Sequence, residues 1–181
     1  MSEPPRYRFE ATWRIRAAPG DVWDVLYDVP SYPDWWPQVS HVSELIEEET
    51  YEVVVRSILP YVLRFTLGQS LADCDAGVLE ADLRGDLDGF SRWTIREAPA
   101  GSVLHYRQEV QTTRSLLNRL EPIARPTFVA NHWWMMRSGE AGLRTFMAGH
   151  GFARNGPKGE HHRAREKGPV GASRPPQAAA R

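Results

Sequence analysis

The sequence predicts an α+β fold, with a seven-stranded antiparallel sheet and one long C-terminal helix. Three observations predict it. The opening segment YRFEATWRI alternates apolar and polar residues without a break. Between about Val39 and Thr113, six further strand-like stretches follow one another across short turns. From about Thr127 to Ala148 the apolar residues recur instead at helical spacing. Short links between successive strands imply an antiparallel meander, which leaves one face wet.

Each element has its own local cause. In the first strand Tyr7, Phe9, Ala11, Trp13 and Ile15 share one face, opposite Arg8, Glu10, Thr12 and Arg14, the period-two pattern of a half-buried strand. Pro19 and Gly20 break it. Pro19 at a first helical position, with Asp21 in the first turn, starts a helix whose stripe is Val22, Val25, Leu26 and Val29. Ser31 is placed to cap a second, very short helix, SYPDWW, which Pro37 stops.

Of the later strands, HVSELIEEE is the least regular. TYEVVVRS follows it, then YVLRFTLGQSLA, in which Leu63, Phe65 and Leu67 share a face. Asp73 to Gly77 supplies a turn. VLEADLRG sets Leu79, Ala81 and Leu83 against Glu80, Asp82 and Arg84. FSRWTIREA, a Pro99-Ala100-Gly101 turn and SVLHYRQEV complete the sheet, the last with Leu104, Tyr106 and Val110 on one side. Pro122 and Pro126 predict a short lead-in helix and then the main helix from about Pro126. Phe128, Met135, Gly142 and Phe146 fall on one side of that helix, near Asn131 and Ser138, and Gly139, Ala141 and Gly142 permit close approach.

Composition bounds the rest. At 181 residues and 41 % apolar content the chain suits one domain able to bury its own core. The single cysteine, Cys74, excludes an intramolecular disulfide and any Cys-cluster metal site. The opening MSEPPRYRFE has no apolar signal core and no 18-residue apolar run occurs, so no membrane span and a cytoplasmic location are expected. Residues 1–149 hold 15 basic and 21 acidic side chains, a net −6, whereas residues 150–181 hold 7 basic and 2 acidic, a net +5. That last stretch is rich in Gly, Pro and Ala and is expected to be a disordered tail after a domain spanning 1–149. Its His161-His162 pair with Glu160 lacks further ligands, and no metal site is expected. Its diluted charge does not call for nucleic acid as a partner.

Three stretches carry a resemblance. IRAAPGDVWDVLYDVPSYPDWWPQV, GDLDGFSRWTIREAPAGSVLHYRQEV and RPTFVANHWWMMRSGEAGL are similar to segments of the START-like (SRPBCC), helix-grip superfamily. Within it the chain resembles the polyketide cyclase/dehydrase and lipid-transport group, over roughly residues 7–149. The resemblance implies a curved sheet gripping the long helix, with a cavity between them. Its motifs are specific for fold and weak for chemistry, because the group includes carriers, cyclases and proteins of unknown role. It implies no cofactor.

The twist of a seven-stranded sheet independently prevents one helix from filling the whole concave face. Cavities that take ligands are commonly about 300–1,000 Å³ and mostly apolar. Strand parity sends Phe65, Leu67, Leu83, Trp93, Tyr106 and Gln108 towards that space, and helical spacing adds Phe128, Asn131 and Met135. Trp36, with Trp35, either plugs the core beneath the small helices or stands at the cavity mouth. Tyr106 is a packed aromatic or a proton donor, since its hydroxyl both donates and accepts. Asn131 needs partners, from protein or ligand. His132 borders the same face, with an intrinsic pKa suited to proton transfer, but no carboxylate or nucleophile stands at a diagnostic spacing from it. Arg64 and Arg92 have outward parity, and the VVV run leaves Arg56 unplaced.

No phosphate loop, dinucleotide fingerprint or nucleophile elbow occurs. Three functions fit these residues. The first is binding of a hydrophobic polyketide-, lipid- or quinone-like molecule. The second is a cofactor-independent cyclase, aromatase or dehydratase working through Tyr106 or His132. The third is an interaction module with a filled interior. Oligomeric state is not encoded in any feature of the sequence.

Overall fold

The structure, a computed structural model, describes residues 6–46, 49–57, 62–112 and 121–151, with side chains omitted for 121–125. The basic stretch expected to form a tail lies, from residue 152 onward, outside the described residues. Seven strands form one antiparallel sheet in the order β1-β7-β6-β5-β4-β3-β2. They are β1 (Arg6–Ile15), β2 (Val39–Glu44), β3 (Thr50–Arg56), β4 (Val62–Asp73), β5 (Val78–Gly85), β6 (Leu87–Ala98) and β7 (Gly101–Thr112). Helix α1 (Pro19–Tyr27), a single 3-10 turn (Val29–Ser31) and helix α2 (Tyr32–Trp35) connect β1 to β2. Helix α3 (Glu121–Gly149) follows the sheet and packs against β1 and α2.

Period-two patterning is obeyed where the sequence states it plainly. Tyr7, Phe9, Trp13 and Ile15 of β1 are buried, as are Leu79, Ala81 and Leu83 of β5 and alternate residues of β7 from Ser102 to Thr112. The opposite face carries charge: Arg92 pairs with Glu80 at 2.5 Å, and Arg107 with Glu109. Arg56 and Arg64 are exposed on that side too. β2 is short and bulged between Val39 and His41, which blunts that edge of the sheet. The other edge is closed by α3. Arg14 N donates to Glu140 Oε1 at 3.0 Å, and Arg144 Nε donates to the Arg14 carbonyl at 2.9 Å.

Three local expectations are corrected. Ser31 does not cap α2; its hydroxyl donates instead to the Asp28 carbonyl at 2.7 Å. The main helix does not begin at about Pro126, because α3 runs unbroken from Glu121 through it, and the residues before Glu121, where a lead-in helix is expected to begin, lie outside the described residues. Pro122 lies in a first turn that needs no amide donor, and Pro126 forfeits only the bond to the carbonyl of residue 122. Finally, the buried stripe of α3 is Phe128, Asn131, Met136, Gly139, Leu143 and Met147. Met135, Gly142 and Phe146 sit beside it and are half-buried.

The core is aromatic. Trp13 meets Trp36 edge-on at 5.5 Å and Trp93 at 4.7 Å, while Trp35 stacks on Trp36 at 5.3 Å. Helix α3 reaches this cluster because it has no side chain in the way. A Cβ at Gly139 would stand 2.7 Å from the Trp36 ring, and one at Gly142 would overlap the Trp35 carbonyl oxygen.

Gly142→Ala is therefore expected to lower the unfolding free energy by about 3 kcal/mol, since the obstacle is backbone. Gly20→Ala, with nothing within 4 Å of the new methyl group, is expected to be neutral or stabilising by up to about 1 kcal/mol. Urea unfolding of the two variants beside the parent checks the contrast.

Candidate functional site

Between the concave sheet face and the N-terminal half of α3 lies an apolar cavity of about 110 Å³. Trp36, Phe65, Leu67, Leu83, Trp93, Tyr106, Gln108, Phe128, Asn131, His132 and Met135 all border it. So do Phe9, Tyr32, Val53, Val55, Ser91 and Met136, which the sequence reading did not assign to it. Ser91 was within reach, two residues before Trp93 at the same parity. Val53 and Val55 were hidden by the unbroken VVV run, and Tyr32 lies in a helix too short to show a period. The volume is a further correction, because it is well below the 300–1,000 Å³ expected from ligand pockets generally.

Sheet register explains why the polar groups gather. Phe9 is opposite Gln108, which is opposite Ser91 on the next strand. One row along, Ala11 is opposite Tyr106, which is opposite Trp93. Ser91, Tyr106 and Gln108 thus lie in adjacent rows on one face, beneath the turn of α3 that carries Asn131 and His132. The five are uncharged, and each has a definite partner or stacking surface.

His132 Nε2 and Gln108 Oε1 are 3.1 Å apart, so the imidazole donates from Nε2 in its neutral form. Its ring stacks on Phe9 at 3.9 Å and faces Tyr106 at 6.1 Å. Burial among these rings pushes its pKa down to about 4. Burial likewise pushes the Tyr106 phenol well above its ordinary value, a shift opposed by the hydrogen bond with Ser91. Tyr106 also packs on Trp93 at 4.5 Å. Asn131, 3 % exposed, is held by protein: Ser57 Oγ donates to its Oδ1 at 3.1 Å, and its Nδ2 points at Met135 Sδ at 3.8 Å.

Trp36 takes the core role of the two weighed for it, and it borders the cavity from there. It is 6 % exposed and packed in the aromatic cluster, its indole donates to the Met135 carbonyl at 3.1 Å, and one side of the ring forms cavity wall. His105 points the other way, beside Thr12 Oγ1 at 3.3 Å on the outer face. Among the described residues no cluster of three potential metal ligands occurs, and none of their helices is long and apolar enough to cross a membrane.

A curved seven-stranded sheet closed by two short helices and one long one, with an apolar hollow inside, defines a helix-grip fold. Residues 6–146 match the family model described as polyketide cyclase / dehydrase and lipid transport, and the chain belongs to that family. The fold is similar to the aromatase/cyclase Zhui from Streptomyces sp. R1128, at 18 % identity and TM-score 0.59 over 80 % of this chain and 98 % of that one. It is similar to a START superfamily protein from Mycobacterium smegmatis, at 13 % identity and TM-score 0.61 over 80 % and 97 %. It also resembles the di-domain aromatase/cyclase StfQ of the steffimycin pathway, at 17 % identity and TM-score 0.57 over 80 % of this chain. The chain spans 52 % of StfQ. No curated protein matches the sequence.

Two outcomes follow from this geometry. A histidine whose folded pKa is about 4, against 6.5 when unfolded, stabilises the fold only while neutral. Its contribution is complete above about pH 6.5 and is lost as pH falls towards 4, by up to roughly 3 kcal/mol. Urea midpoints at pH 7, 5.5 and 4.5 should drop more steeply for the parent than for His132→Phe. Asn131→Leu removes the buried amide that accepts from Ser57 and is expected to cost about 1–3 kcal/mol by the same measurement at pH 7.

Proposed function

We propose that this protein binds a hydrophobic small molecule, of polyketide-, lipid- or quinone-like character, in the cavity between the sheet and α3. The observation that carries the reading is the cavity wall itself, apolar nearly throughout and interrupted by neutral polar groups that converge from two adjacent sheet rows and one helix turn, while the carboxylate of Glu80, the charged residue at its border, is paired with Arg92. Family membership and the similar folds support the same reading. At about 110 Å³ the hollow takes one ring or a short branch of such a molecule. A longer chain requires the N-terminal half of α3 to draw back from the sheet.

A second reading makes the same cavity the site of a cofactor-independent cyclase, aromatase or dehydratase. What favours it is Tyr106 and His132, which border one space with ring centres 6.1 Å apart. Tyr106 then donates a hydrogen bond to a carbonyl, and His132 exchanges the proton.

A panel of quinones, phenols, ketones and fatty acids tests binding by thermal unfolding. A ligand present at 100 times its dissociation constant adds about 2.7 kcal/mol, a rise of roughly 5–10 °C for a chain of this size. Native mass spectrometry of the purified protein, with extraction of whatever it carries, identifies the class directly. No shift from any member, together with an empty extract, defeats the binding reading.

A further inference from the structure

Gln108 has more hydrogen-bonding capacity than the protein uses. It is 7 % exposed, on the inward face of β7 between Phe9 and Ser91, and it borders the cavity. A primary amide offers two donors and two acceptor positions. Among the described residues the side chain of Gln108 makes one hydrogen bond, from His132 Nε2 to its Oε1. Its –NH2 group keeps both protons for the cavity. Exchanging the amide's nitrogen and oxygen changes which atom is left over, but the amide still keeps unused capacity. The surroundings do not absorb it: Phe9 is apolar and stacks on His132, and among the described residues no hydrogen bond joins Gln108 to Ser91.

We propose that Gln108 is the specificity-determining residue of this cavity, and that its ligand is an uncharged, ring-sized apolar molecule whose carbonyl or hydroxyl oxygen accepts a hydrogen bond from the Gln108 amide. The proposal rests on the cavity being a ligand site, as argued above. Three features converge on that ligand. An apolar ligand that fills the hollow would leave the Gln108 donors facing it without a partner, and a ligand acceptor removes that cost. A hollow of about 110 Å³ is close to the engineered apolar cavity of about 150 Å³ that takes one benzene. A carboxylate would exchange full hydration for a wall in which Tyr106 and His132 are both held neutral.

Ethylbenzene, acetophenone and benzoate share one ring and differ in oxygen and charge, so their affinities separate these features. Ethylbenzene is the more hydrophobic of the first two, and burial alone ranks it first. The expected result by calorimetric titration at pH 7 is acetophenone at least 10-fold tighter than ethylbenzene, and benzoate at least 100-fold weaker than acetophenone. Q108L should bring acetophenone and ethylbenzene within about 3-fold, or reverse them. Should Q108L fail to fold, Q108M, which keeps the unbranched shape, replaces it. In the parent protein the Gln108 side-chain amide protons should move downfield with acetophenone, relative to their position with ethylbenzene, whose ring current acts alone. The assignment is overturned if ethylbenzene matches acetophenone in the parent, if benzoate binds as well as acetophenone, or if the preference survives in the variant. In those cases the cavity still binds ligands and only the role of Gln108 falls. If none of the three binds, this assignment falls, and the ligand-site reading falls with it only when the wider panel gives no shift and the extract is empty.

Discussion

The contact on which the rest of the structure depends is the one between the tryptophans of α2 and the glycines of α3. Trp35 and Trp36 can lie directly against the long helix only because Gly139 and Gly142 present bare backbone there. The Trp36 indole adds a hydrogen bond to the Met135 carbonyl. This fixes the C-terminal half of α3 against Trp13 and the end of β1, where Glu140 and Arg144 also hold the strand edge. With one half of a straight helix fastened, a twisted sheet must diverge from the other half. The cavity occupies that divergence, and the residues α3 contributes to it all fall between Phe128 and Met136.

The same contact explains which face of α3 is buried. Spacing from Phe128 alone selects Met135, Gly142 and Phe146, yet the helix buries Met136, Gly139, Leu143 and Met147. A residue's helical phase says which neighbours share its face, not which face meets the sheet. That choice was made by Trp13 and Trp36, which accept only a glycine opposite them, and the line of contact then follows the sheet's twist around the helix. Gly139 and Gly142 were readable as sites of close approach, but what approached them was not, because it lies 99 or more residues earlier.

Strand parity travelled further. In β1, β5 and β7 one alternation fixes both the core and the direction of every other side chain, so Tyr106, Gln108, Leu83 and their neighbours were legible as cavity wall. Parity fails where both faces are apolar, as at Val53 to Val55, and it says nothing about partners. Asn131 could be placed on the inner face from its spacing, but its bond to Ser57 joins residues 74 positions apart. The volume was illegible for a related reason. It is the small space left when side chains from all seven strands and three helices meet, and no local pattern carries it.

What the polar cluster can do is limited by how dry it is. His132 is held to a pKa of about 4 by burial against Phe9 and Tyr106. At pH 7 only about one imidazole in a thousand carries a proton, and the neutral ring is a correspondingly weak base. The Tyr106 phenol is held neutral by the same burial. Both groups are therefore poor at moving protons in the empty cavity and well suited to donating hydrogen bonds without charge. Acid–base work would require a ligand that itself changes the electrostatics, for example by developing negative charge beside the imidazole in the course of reaction. Recognition requires no such change, and a set of neutral donors fixed by register and stacking is already organised for it.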